Sequence, residues 1–511
     1  MLLNPDDYED ARQSRDPRFD GRFFVGVLTT GIYCRPVCPV RVPKKENVQL
    51  YPSAAAAAAA GFRPCLRCRP ESSPGTPAWS GSSWKVSRAL QLIDRGYLDD
   101  GSVDDLAQQL EVGSRQLSRL FQSHLGASPV EVAQTRRLHF AKKLIDETTM
   151  PLAEVCFAAG FGSVRRFNAV FQQTYQRSPR QLRESRRNVS HARSLPGNDS
   201  GTALQITLSY RPPFNWRAML AFLAYRAIPG VEHVGEDSYA RTFSLNGQAG
   251  HFIARFDTER PAIHLQIASS ESGQLYHIID RIRSLFDLRA DSTLIDGSFA
   301  KDKLLGKGVQ ENPGLRVPGC WDGFEVAVRA ILGQQVTVKA ASTLVARVAE
   351  RYGQRYESEH GPESLTHVFP TPDVLAAAEL DGIGIVGSRI SAIKTLADKV
   401  AAGEIIMDCT VSTESFIERI CAIKGIGEWT AQYIAMRALS DPNAFPHSDL
   451  ILRRAAVAEN YVSKPGRTSG KELITLTPKQ LLERASDWQP WRAYAVILLW
   501  HCYGQALKSS D

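Results

Sequence analysis

The spacing of apolar residues changes character along the chain. Over residues 84–187 they recur at i, i+3 and i+4, the signature of helices with one buried face. This stretch repeats itself. Arg115, Gln116, Leu117, Leu120, Phe121 and Ser128-Pro129 return fifty residues later as Arg165, Arg166, Phe167, Val170, Phe171 and Ser178-Pro179. Each copy follows a short helical run and a turn, VDDLAQQLEVGS and LAEVCFAAGFGS. The pattern leaves Arg115, Gln116 and Arg119 outward in the first copy and Arg165, Arg166 and Asn168 in the second. From residue 202 the period falls to two: LQITLSY, YARTFSL, HFIARFD and AIHLQIA read as half-buried strands. Helical runs lie beside them at Trp216–Arg226 and Gln274–Phe286. From Asn312 onward the pattern is helical again, with amphipathic runs at Trp321–Gly333 and Val336–Tyr352. Near the start, Ser53 to Ala60 predicts an alanine helix with Ser53 as N-cap and Gly61 as stop. Ser72–Ser83 and Asn188–Gly201, rich in Ser, Pro and Gly, read as linkers.

Composition narrows the class. A chain of 511 residues allows three or four domains. Its net charge of +7 is uneven. Residues 1–195 hold 28 Lys and Arg against 19 Asp and Glu, and the remainder 33 against 35. The first half is therefore the stronger non-specific binder of nucleic acid. No run approaches the ~18–20 apolar residues of a membrane span. The acidic start MLLNPDDYED lacks the pattern of a signal peptide. A cytoplasmic, nucleoid-associated chain is expected.

Four of the nine cysteines cluster as Cys34 and Cys38, then Cys65 and Cys68. Two closely spaced thiol pairs suit one tetrahedral Zn²⁺. Arg35, Arg41, Lys44, Lys45, Arg63, Arg67 and Arg69 flank them, so a purely structural zinc knob on DNA phosphates is one reading. The exposed Arg, Gln and Asn of the repeat are side chains that read base edges in a major groove. A helical bundle with a solvated basic face is the plainer alternative.

GIYCRPVC, ENVQLYP and AAGFRPCLRC closely resemble the N-terminal domain of the Ada family. That resemblance implies a small α/β zinc domain. It also implies that the first cysteine, here Cys34, irreversibly accepts a methyl group from a methylphosphotriester in DNA. GFGSVRRFNAVFQQTYQRSPRQLR resembles the AraC-type DNA-binding domain, an all-α double helix-turn-helix that Ada-type proteins carry in the same place. It implies promoter recognition, with RNA polymerase as a partner. The Pro-Cys-His-Arg motif of the alkylguanine methyltransferase domain does not occur.

Within the last region, Lys424-Gly425-Ile426-Gly427 forms a tight turn ahead of a helical run. Its free N–H groups and the helix N-terminus suit a phosphate. One helix and a loop later comes a lone acid, Asp449. YRPPFNWRAMLAFLAYRA, PGLRVPGCWDGFEVAVRAILGQQVTV, GIGEWTAQYIAMRAL and PWRAYAVILLW resemble the AlkA-type 3-methyladenine DNA glycosylases of the helix-hairpin-helix superfamily. The resemblance implies an α+β N-terminal domain and an all-α glycosylase domain. It makes Asp449 the catalytic acid and Trp429, Tyr433, Trp500 and Phe222 the base pocket. Gln335 falls where the family plugs the gap left by the extruded base, although the prototype has an apolar residue there. The Schiff-base lysine of bifunctional members is replaced by Trp429. Cys409, Cys421 and Cys502 are too scattered for an iron–sulfur cluster. On the residues alone, Asp449 could instead cap a helix and the aromatics could be ordinary core.

The expectation is thus a multidomain, monomeric protein acting on double-stranded DNA. Its domains are a zinc/methyl-acceptor domain (1–75), a DNA-binding domain (84–187), an α+β domain (202–300) and a glycosylase domain (301–511). Two rivals stand beside it: a transcription regulator whose glycosylase part only binds DNA, and a glycosylase with a passive zinc and helix-turn-helix tether.

Overall fold

The computed structural model describes residues 5–74, 84–190, 203–269, 272–357, 361–408, 411–457 and 475–508. Much of both expected linkers, and Cys409, lie outside these residues. The chain divides into two compact units. The first is Met1–Pro212 with Leu245–Arg283 and Leu288–Asp291; the second is Pro213–Ser244 with Ser284–Asp287 and Ser292–Asp511.

The first unit begins with a four-stranded sheet. Strand Phe24–Val27 lies between Val48–Tyr51 and Ile32–Cys34, antiparallel to both, and Arg63–Pro64 adds a parallel edge. The alanine run folds as helix Ala54–Ala59. Ser53 caps it by accepting from Ala56 N at 3.0 Å, and Gly61 stops it at φ +91°, which favours glycine. The helix packs its alanines against Phe24, Tyr33 and Tyr51.

The repeat folds as its pattern predicts. Val103–Gln109 with Ser114–Leu125 forms one helix-turn-helix, and Leu152–Ala158 with Val164–Tyr175 the other. Leu117, Phe121 and Leu125 are buried in one copy, Phe167, Phe171 and Tyr175 in the other. The long helix Pro129–Glu147 runs between the copies. It starts from a capping box in which Ser128 and Glu131 exchange hydrogen bonds, with Pro129 in the first turn.

Part of the α+β region belongs to this first unit. Strand Leu204–Ser209 pairs antiparallel with Ala262–Ala268, which pairs with Gln248–Phe256. Glu147 explains this grouping. Its Oε1 accepts from Lys143 at 3.0 Å and Arg69 at 3.2 Å, and its Oε2 accepts from Thr207 N at 3.0 Å. One carboxylate at the end of the long helix thus ties the cysteine region to the first strand of the next domain. The compact units therefore cut across the boundaries expected near residues 202 and 300.

In the second unit, strand Glu232–Val234 pairs antiparallel with Ser238–Leu245. Among the described residues the rest of this unit's regular structure is helical apart from the short pair Gln354–Arg355 and His367–Val368. Helix Gly323–Leu332, capped by Asp322, is buried along most of its length. It carries Glu325 into a charged cluster inside the core. Arg241 donates to Glu325 at 2.6 Å, Arg329 donates to Glu232 at 3.2 Å, and Tyr239 donates to Glu232 at 2.5 Å. Burial raises the Glu232 carboxyl pKa, but Arg329 and Arg241 outweigh it and the net shift is downward. A buried ion cluster tolerates the loss of a partner poorly. Replacing Glu325 with Ala should therefore lower the stability of the second unit by ~3–5 kcal/mol, measured by denaturant unfolding.

Candidate DNA-repair sites

The four predicted ligands converge. Cys34 ends its strand opposite Val25, and Cys38, Cys65 and Cys68 close around it. All four sulfurs lie within 4.8 Å of one another and are buried. A tetrahedral ZnS₄ site with Zn–S of ~2.3 Å needs sulfurs ~3.8 Å apart, so the donor set and its spacing fit zinc. Cys34 and Cys38 line a small recess with Arg12, Arg15 and Arg35. Cys65 and Cys68 are not among the residues lining it. Arg35 donates its backbone N–H to Cys68 Sγ at 3.3 Å and pairs with Asp20, which fixes the loop carrying Cys38. Arg41 is exposed nearby.

All six residues predicted to face outward from the helix-turn-helix copies do so: Arg115, Gln116, Arg119, Arg165, Arg166 and Asn168 are exposed.

The hairpin of the second unit joins helix Thr413–Cys421 to helix Glu428–Ala438. Ile423 and Ile426 are buried and anchor it, while Lys424, Gly425 and Gly427 are exposed. Gly425 sits at φ +97°, which a side chain would oppose. Gly427 is the N-cap and offers no side chain, so the first-turn N–H groups point outward unsatisfied by a cap. Gln334 braces the turn from another loop. Its amide donates to Gly425 O at 2.9 Å and to Thr430 Oγ1 at 3.1 Å. Its neighbour Gln335 is exposed at φ +56°, held forward by that loop.

Behind the hairpin lies a cavity of about 390 Å³ lined by Trp429, Tyr433, Trp500 and Asp449. Trp429 and Tyr433, one helical turn apart, stack with centroids 5.5 Å apart and planes 5° from parallel. Asp449 caps helix Leu450–Ala455, its Oδ1 accepting from Leu452 N at 2.7 Å. The same carboxylate also accepts from both indoles, Trp500 Nε1 to Oδ1 at 3.1 Å and Trp429 Nε1 to Oδ2 at 3.0 Å. The two sequence readings of this residue are therefore compatible: it is a cap and a cavity carboxylate at once. His447 lies 3.9 Å from Glu428 and does not line the cavity.

Comparison with known proteins agrees with this layout. Four family models match in chain order: "Metal binding domain of Ada" at 7–71, "Helix-turn-helix domain" at 106–185, "AlkA N-terminal domain" at 205–322 and "HhH-GPD superfamily base excision DNA repair protein" at 328–470. A Mycobacterium tuberculosis protein named "Probable bifunctional transcriptional activator/DNA repair enzyme AlkA" is 38% identical, over 97% of this chain and 96% of its own length. The chain belongs to this bifunctional AlkA family. The DNA-3-methyladenine glycosylase 2 of Escherichia coli is 34% identical over 58% of this chain and 97% of its length. A 3-methyladenine DNA-glycosylase structure from Archaeoglobus fulgidus shares the fold, with a TM-score of 0.50 at 20% identity over 58% of this chain and 97% of its own.

In this AlkA-family chain the cavity holds more charge than the sequence suggested. Arg226 and Arg329 line it as well. Phe222 does not appear in its lining. Its ring instead lies under the Arg226 guanidinium, 3.8 Å from the centroid. Arg437 donates to the Tyr433 hydroxyl at 2.9 Å. The i+4 spacing of Tyr433 and Arg437 was the one local signal for this cluster; Arg226 and Arg329 come from distant segments. Burial raises the Tyr433 phenol pKa, but Arg437, Arg226 and Arg329 together bring it down to about 8. An ultraviolet titration of tyrosinate should show one phenol ionising near pH 8 that disappears in Tyr433→Phe. The folded value lies below the ordinary ~10. The unfolded chain thus holds the extra proton between about pH 8 and 10, and wild-type stability relative to Tyr433→Phe should rise across that window.

Proposed function

We propose that the chain excises alkylated purines of the 3-methyladenine and 7-methylguanine type from double-stranded DNA, with Asp449 as the catalytic carboxylate. The observation that carries this reading is a carboxylate held on both oxygens by the indoles of an aromatic cavity beside a phosphate-gripping turn. Lys424, Gly425 and Gly427 hold the backbone while Gln335 fills the space of the extruded nucleotide. A purine alkylated at N3 or N7 is cationic and its glycosidic bond is already weakened. Trp429, Tyr433 and Trp500 attract it by ~0.5–2 kcal/mol per good cation–π contact, which is modest and gives a broad substrate range. Phe222 supports the pocket by carrying Arg226. As the base leaves, the sugar gains oxocarbenium character, and the ionised Asp449 stabilises that charge and orients water. With Trp429 beside the hairpin in place of a Schiff-base lysine, the product is an abasic site in an uncut strand.

The N-terminal half, 1–75 and 84–187, senses damage and reads promoters. The Cys34 sulfur attacks the methyl carbon of a methylphosphotriester. An S–C bond forms, the C–O bond breaks, and an ordinary phosphodiester is left. Cys34, Cys38, Cys65 and Cys68 would hold one Zn²⁺, and the bound ion would keep these thiols deprotonated. Methylation removes negative charge beside Arg35, Arg41 and their basic neighbours and strengthens the hold on phosphates. Arg115, Gln116, Arg119, Arg165, Arg166 and Asn168 contact bases, and the bound chain recruits RNA polymerase as a monomer. The 202–300 and 301–511 domains form the glycosylase, without an iron–sulfur cluster, in a protein that works in the cytoplasm at the nucleoid.

Asp449→Asn should keep DNA affinity and lose base release by about 100-fold or more. Full release activity in that variant sinks the assignment. Mass spectrometry after incubation with methylated DNA should find one methyl group on Cys34, and Cys34→Ala should remove it.

A further inference from the structure

The first unit contains a second cavity, of about 170 Å³, away from the cysteine cluster. Glu71 and Ser73 of the cysteine region and Asp94 line it, with Arg136, His139 and Lys143 of the long helix and Tyr276, Arg283 and Arg289 from the α+β region. Its charges do not balance locally. Arg136 donates to Asp99 at 3.1 Å and lies over the Tyr276 ring. Lys143 donates to Glu147 at 3.0 Å. Arg289 pairs with Asp94 and Asp280. Glu71 lies 3.6 Å from Lys142 and 3.4 Å from Arg69. Among the described residues, Arg283 has neither a hydrogen-bond acceptor nor an ion-pair partner. The acids nearest in charge, Asp94 and Asp280, are taken by Arg289.

Burial and the Arg289 guanidinium pull the Arg283 pKa below its ordinary value, so the surroundings penalise its charge. Ser73 Oγ and Arg136 Nε, also from lining residues, are buried without a partner. His139 stays neutral, since burial and Lys142 push it down to about 4, and it meets Tyr33 Oη at 2.8 Å. A half-buried guanidinium with no carboxylate in hydrogen-bond reach is stabilised by an anion that accepts several N–H bonds at once, and phosphate matches its fork.

We propose that this cavity binds a small phosphate-bearing anion, with Arg283 as its principal ligand and Lys143 and Arg136 flanking it. The small volume suits free phosphate or the phosphate end of a small molecule rather than a length of duplex backbone. Its lining shares no residue with the cysteine recess or the aromatic cavity. Because its walls come from the cysteine region, the helices of the helix-turn-helix region and the helix Leu275–Leu285 with the segment after it, occupancy would stiffen the junction of all three.

The test is thermal unfolding of the full-length protein against inorganic phosphate, at an ionic strength held constant with sodium chloride. The wild type should rise in melting temperature with phosphate concentration. Arg283→Gln should weaken the apparent phosphate affinity about 10-fold or more, and Arg283→Lys should recover part of it. Duplex affinity and base release should be the same in wild type and Arg283→Gln. No phosphate-dependent rise in the wild type, or an equal rise in Arg283→Gln, overturns the proposal. So does an Arg283→Gln defect confined to duplex binding, which would place a DNA phosphate there instead.

Discussion

A half-buried carboxylate set among aromatic rings gives up part of its water, and other donors replace that hydration. At Asp449 three N–H groups do so: the backbone of Leu452 and the indoles of Trp429 and Trp500. This constraint organises the second unit. Trp429 must stand on the first turn after the hairpin, so the phosphate grip and the carboxylate are fixed relative to each other. Trp500 must reach in from the helix Arg492–Lys508. Tyr433 then stacks on Trp429, and Arg437 and Arg226 gather around its hydroxyl.

That gathering complicates the simple picture of an electron-rich pocket for a cationic base. Aromatic faces attract the cation, while the guanidiniums of Arg226 and Arg329 oppose it. Arg329 is partly neutralised by Glu232. Arg226 sits on the Phe222 ring and is balanced when Tyr433 loses its proton. In the proposed reading, any preference of this cavity for a cationic base rests on a balance of charges as well as on the aromatics.

The sequence made some of this legible and not the rest, for physical reasons. The cysteine pairs were readable because metal ligation demands short local spacings. The helix-turn-helix copies were readable because burying Leu117 and Phe121, or Phe167 and Phe171, demands i, i+4 periodicity. The hairpin turn was readable from its two close glycines, of which Gly425 takes a positive φ. The roles expected of Trp429, Tyr433 and Trp500 rest on family resemblance, since helical aromatics alone look like core. What stayed hidden depends on contacts between distant segments: Gln334 bracing Gly425, Arg226 and Arg329 reaching the cavity, and Glu147 joining Arg69 to Thr207. The last of these joins the cysteine region to the first strand of the α+β region.

The account turns on base excision by one carboxylate without a lysine nucleophile. The most direct measurement incubates the full-length protein with methylated duplex DNA and follows both the free base and the strand. The account predicts free methylpurines and an uncut strand that breaks only after alkali. Absence of free base, or scission without alkali, would contradict it.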